Sequence, residues 1–215
     1  MRSAILSLIL AFFASNFSAK KQAQSEPQKG APVQSDRQYF PVGTFDEKNQ
    51  PSYRERWYSY YLTAMDEPSL LEAAQNRDIL TYRLTLMGNR ALCVRVALQR
   101  DGTGVLEGKL VTFRSGSKTL YVKDLVPISK DQVQQFLMLL QKAEFWSMKT
   151  EQERAKNGPY EMDGARWVLE GAGNGNYHVV DRWSPRGTAY EQVCNYLMEL
   201  SPVKHDQDAR DKKGR

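Results

Sequence analysis

Residues 163–185 read DGARWVLEGAGNGNYHVVDRWSP, two strand-like segments around Asn174-Gly175. A type I′ hairpin turn needs φ > 0 at both central positions, which Gly adopts freely and Asn more readily than most residues. A two-residue loop there sets Gly173 opposite Asn176, Leu169 opposite Val180 and Trp167 opposite Arg182. Side chains alternate along a strand. One face therefore carries Trp167, Leu169, His178, Val180 and Arg182. The other carries Arg166, Val168, Glu170, Tyr177, Val179, Asp181 and Trp183. The first face is the more apolar and is expected to meet helices. The second mixes charges with aromatic rings, as a half-wet face does, so Arg166, Tyr177, Asp181 and Trp183 are the candidate partner-binding residues. The same register predicts cation–π contacts of Arg182 with Trp167 and of Arg166 with Trp183. Pro185 ends the strand, because it has no N–H for the ladder.

The segments before the hairpin supply the rest of a sheet. Residues 79–87 alternate Leu80, Tyr82, Leu84, Leu86 with polar neighbours, and residues 91–99 alternate Leu92, Val94, Val96, Leu98. Residues 103–113 follow the Asp101-Gly102 turn. A two-residue loop would leave Leu106 and Leu110 on the wrong side. A three-residue loop with Gly102 at φ > 0 aligns them with Val94, Val96 and Leu98, and is preferred. Residues 120–126 add a further strand.

Ser129, with Gln132 three positions on, opens a helix whose apolar stripe is Val133, Phe136, Leu137 and Leu140. It ends near Ala143, with Phe145-Trp146 packing back on the core. A last helix carries Tyr190, Val193, Cys194, Leu197 and Leu200 before Ser201-Pro202. Residues 53–65 form a first helix, with Tyr53, Trp57, Tyr60, Tyr61 and Ala64 as its expected core stripe. Asp66-Glu67-Pro68-Ser69 breaks it and caps a short helix at 68–74. Residues 150–160, polar and containing Asn157-Gly158-Pro159, read as a mobile loop. Strands come in adjacent hairpins rather than alternating with helices. The expected class is therefore α+β: an antiparallel sheet of hairpins with helices packed on one face.

The DGA-W-LEG block, the turn and the YHVVDRWSP run resemble the signature of an uncharacterised family of bacterial secreted or periplasmic proteins. RERWYSYYLTAMDEPSLL, YRLTL, CVRV and Phe145-Trp146 follow the same family order, so the resemblance spans about residues 53–201. It implies common ancestry and carries no established activity or catalytic residues. Where that family often has a His-Pro segment before the VRV strand, this chain has residues 88–92, GNRAL, and no role passes from those histidines.

A chain of 215 residues, 41% hydrophobic and 26% charged, is expected to form one domain with tails. The expected division is a signal peptide at 1–19, a flexible polar linker at 20–46, a single α+β domain at 47–202 and a charged tail at 203–215. Arg2, the apolar run 4–14 and the small residues 15–19 form the export signal. An uncleaved anchor lying on a membrane is the alternative. The run is shorter than the about 20 residues of a membrane span, so no transmembrane segment is expected. Export gives a periplasmic or secreted location. The net charge of +5 sits partly in the two ends, which argues against nucleic acid as a partner. Cys93 and Cys194 are the two cysteines, and the sequence leaves open whether they pair or stay free and buried.

No catalytic constellation assembles from the sequence. His178 with two scattered cysteines lacks metal-site spacing, so no metal or cofactor is expected. His178 and Asp181 point to opposite faces of one strand, which breaks a triad with Ser184. Glu170 and Asp181 share a face and could flank a substrate, as glycosidase acids do, or pair with neighbouring cations. Residues 171–175 lack the Lys-Ser/Thr and the helix of a phosphate loop. Two readings remain. One is an exported, non-enzymatic binding or interaction module for an envelope protein or small ligand. The other is a hydrolase with an unrecognised carboxylate site.

Overall fold

The Asn174-Gly175 turn forms with φ of 56° and 80°, and the predicted register follows from it. Strands β5 (Arg166–Gly173) and β6 (Asn176–Trp183) pair with Gly173 opposite Asn176, Leu169 opposite Val180 and Trp167 opposite Arg182. The computed structural model describes residues 37–45, 52–75, 80–88, 90–114, 117–151 and 164–203. The proposed signal peptide, most of the linker and tail, and residues 152–160 of the expected loop lie outside them.

Upstream, β1 (Leu80–Met87), β2 (Arg90–Leu98), β3 (Gly104–Arg114) and β4 (Ser117–Ile128) form three antiparallel pairs in sequence. β5 then joins β1, and the six-stranded order is β4-β3-β2-β1-β5-β6. The β2–β3 loop is the three-residue form, with Gly102 at φ 87° and Gln99 N donating to Thr103 O at 2.8 Å. Leu92, Val94, Val96, Leu106 and Leu110 consequently share one face. The edge strand β4 carries a bulge opposite Glu107 and Pro127 near its end, two features that discourage edge-to-edge pairing.

The α+β class and the antiparallel sheet of hairpins are what the chain builds. α3 (Lys130–Lys142), capped by the expected Ser129/Gln132 box, and α4 (Ala189–Leu200) cover the apolar face. Their Val133, Phe136, Leu140, Tyr190, Val193 and Leu197 meet Leu84, Val94, Leu169 and Val180. Burying about 1.5–3 kcal/mol worth of side chain at each such position makes this the main hydrophobic contribution. Tyr190 Oη fastens α4 to the hairpin, reaching the carbonyls of Trp167 at 2.7 Å and Val180 at 3.0 Å.

Helices do not keep to that face alone. α1 (Tyr53–Ala64) and α2 (Leu70–Ala73) lie over the opposite one, so the face expected to be half-wet is largely covered. The buried side of α1 is Tyr58, Tyr61 and Leu62, followed by Met65, while Tyr53 is 68% exposed. The expected stripe is rotated: Glu55 of the Ser52/Glu55 capping box is buried and accepts from Ser52 N and Thr44 N, while Trp57, Tyr60 and Ala64 are only partly buried. The linker reading is corrected at its end as well. Tyr39, Phe40 and Phe45 are buried, with Phe40 and Phe45 stacked edge-on around Tyr58 at 5.2–6.1 Å. Three aromatic rings in a polar stretch are enough to fasten it to the core.

Cys93 and Cys194 are both free and buried. Cys93 lies under α1 and Cys194 in the α3–α4 core, so the sheet separates them and no bridge forms. Among the described residues, no helix is long and apolar enough to cross a membrane.

Candidate functional site

Parity places Glu107, Arg95, Arg83 and Glu170 side by side across β3, β2, β1 and β5. Arg83 donates to both Glu170 oxygens at 2.7 and 2.8 Å, and both residues are fully buried. Arg95 pairs with Glu107. The two arginines are direct cross-strand neighbours, an arrangement that repels unless an anion sits between them. Glu67, from the corner between α1 and α2, supplies it. Its carboxylate lies 3.5 Å from Arg83, 3.0 Å from Arg95 and 2.8 Å from Lys109.

Within this group Arg83, Arg95 and Lys109 balance Glu67, Glu107 and Glu170. Burial opposes ionisation of Glu67, but Arg83, Arg95 and Lys109 outweigh it and hold its pKa below the ordinary value. Tyr39 Oη and Arg37 Nη1 donate to the Glu67 carbonyl at 2.9 and 2.7 Å, and Arg83 Nη1 donates to Pro68 O at 2.6 Å. The corner is thus fixed by side chain and backbone together.

The four candidate partner-binding residues belong to this covered face. Tyr177 Oη donates to Glu170 at 2.9 Å, and burial beside that carboxylate pushes its pKa well up. Asp181 is 1% exposed, accepts from Tyr58 Oη at 2.9 Å, and has Arg54 and Arg166 at 3.3 Å each. Arg54 also pairs with Glu151. Arg166 lies 5.5 Å from the centre of the Trp183 ring, the predicted contact, and both are partly exposed. The other predicted contact is replaced, since Arg182 lies over Tyr190 at 5.7 Å rather than over Trp167. Glu170 and Asp181 therefore share a face but are each tied to arginine. Both oxygens of Glu170 are engaged, whereas Asp181 Oδ1 has no hydrogen-bond partner among the described residues.

The apolar face offers a different surface at its hairpin end. After α3, Glu144 turns left-handed at φ 52° and starts a 3-10 turn, Phe145–Ser147. Phe145 drops onto Gly171, where an added Cβ would stand 2.7 Å from its ring. Trp146 consequently stays up, 43% exposed. Its ring rests 6.1 Å from both Tyr82 and His178. The backbone of Met148 and Phe145 lies beside His178, whose Nε2 is buried and has no hydrogen-bond partner among the described residues. Burial, aided by Arg182, outweighs the pull of that backbone and lowers its pKa, so the ring is neutral at neutral pH.

Beside Trp146 is a shallow depression of about 290 Å³, lined by Leu80, Tyr82, Trp146, Gly173, Asn174 and Asn176. The hairpin tip that forms one wall is held by Gly175 N donating to Ala74 O at 3.1 Å. Sequence reasoning placed Trp146 in the core together with Phe145. The signal that separates them is the adjacency of two large rings on one short turn, of which only one can point inward. Among the described residues, no group of three or more His, Cys, Asp and Glu is arranged to hold a metal ion. No family model matches the chain, and no curated protein or solved structure matches it at a level that would show kinship.

Proposed function

We propose that the chain is an exported, non-enzymatic binding module of the bacterial envelope, and that it binds through the Trp146 depression. One observation carries this reading: the formed concavity presents an exposed ring and two amide side chains, whereas the charged groups of the other face are spent on one another. An exposed aromatic ring on a rigid support is a common anchor of binding surfaces. Export rests on the signal-like residues 1–19.

A carboxylate hydrolase draws less support. A catalytic acid or base must reach a substrate proton, and Glu170 is locked bidentately to a buried arginine. The test is sedimentation of the purified exported chain, its N-terminus sequenced, with isolated envelope fractions. Retention is expected for the wild type and lost for Trp146→Ala with its melting curve unchanged. Equal retention of both, or retention of neither, contradicts the reading.

A further inference from the structure

Three properties of the depression define what it fits. Its lining, Leu80, Tyr82, Trp146, Gly173, Asn174 and Asn176, carries no formal charge. Its polar side chains are chiefly amides, each both a donor and an acceptor, which suits a ligand bearing hydroxyls that are also both. Its platform is a tryptophan ring, 43% exposed and backed edge-on by Tyr82 at 6.1 Å, so it offers an apolar plane to a ligand.

The size is restrictive as well. About 290 Å³ lies at the small end of the roughly 300–1,000 Å³ typical of ligand pockets, room for one ring rather than an extended cofactor. Glycine at 173 leaves the sheet side of the depression without a side chain, so a flat ligand can approach the backbone. The wall does not need to be ordered by the ligand, because Gly175 N is already bonded to Ala74 O.

We propose that the depression binds one pyranose ring of a neutral saccharide, its C–H face on Trp146 and its hydroxyls on Asn174 and Asn176. This rests on the reading of the chain as a binding module. A polyproline segment also stacks on tryptophan, but it needs an open groove of several residues and offers carbonyls alone as acceptors. A charged ligand would find no counter-ion in the lining.

The experiment is a titration of the full chain followed by NMR, reading the Trp146 indole and the Asn174 and Asn176 side-chain amides. The probes are maltotriose, cellotriose, the N-acetylglucosamine trimer, decaproline and polygalacturonate. At least one neutral trisaccharide is expected to shift all three signals, with a Kd of about 1 mM, the order expected of so few ligand atoms. Trp146→Ala should weaken it by at least about tenfold, as should Asn176→Ala at an exposed position. No shift with any neutral trisaccharide up to about 50 mM overturns the inference. So does a response to decaproline or polygalacturonate alone, which leaves the binding-module reading standing. No response to any probe, together with envelope retention that ignores Trp146, removes both.

Discussion

Glu67 is the residue on which the charged face turns. It is 1% exposed and contacts three cations that would otherwise be left with two carboxylates. Glu67→Gln keeps the shape and removes the charge. Breaking a buried ion pair on one side costs about 3–5 kcal/mol, so the variant should unfold at correspondingly lower urea. The pH dependence follows from the sign of the shift. Because the folded pKa of Glu67 lies below its ordinary value of 4.5, the unfolded chain takes up this proton first as pH falls. The stabilisation is complete above 4.5 and is lost as pH drops through the folded value. Urea melts at a series of pH values should show this acid-side loss in the wild type and a smaller one in Glu67→Gln. Identical pH profiles would mean that Glu67 does not carry the linkage.

At the scale of elements, the central hairpin, the three-residue β2–β3 loop and the capped helix α3 were all legible. Each is fixed by residues within a few positions of one another: Asn174-Gly175, Gly102, and Ser129 with Gln132. The cover of the charged face was not legible. Its decisive pairs, Arg83 with Glu170 and Tyr58 with Asp181, are 87 and 123 positions apart, and no local pattern announces them. The alternation that marked a half-wet strand was real, but the same pattern results when a buried face is built from ion pairs.

Gly171 tests how the 3-10 turn depends on the hairpin. A methyl group there would stand 2.7 Å from the Phe145 ring and 3.0 Å from Tyr82. Gly171→Ala should cost about 1–3 kcal/mol of overpacking and, by lifting the turn, weaken envelope retention as well. Full stability with full retention would separate the turn from the site.

For the whole molecule, the two faces of one sheet divide the work. α3 and α4 bury an apolar face, while α1, α2 and the aromatic residues 39–45 seal a charged one. Among the described residues, the end of the apolar face around Trp146 is left open. The candidate residues Arg166, Tyr177, Asp181 and Trp183 instead form a buried or half-buried corner beneath α1. The direct comparison is Trp146→Ala against Trp183→Ala, each measured for melting and for retention on envelope fractions. Trp146→Ala is expected to melt like the wild type and lose retention. Trp183→Ala should keep retention and lose about 2 kcal/mol of stability, less than the 3–5 of a fully buried ring. The reverse pattern, retention lost with Trp183 and unaffected by Trp146, would return the binding surface to the Arg166–Trp183 corner and contradict the assignment made from the fold.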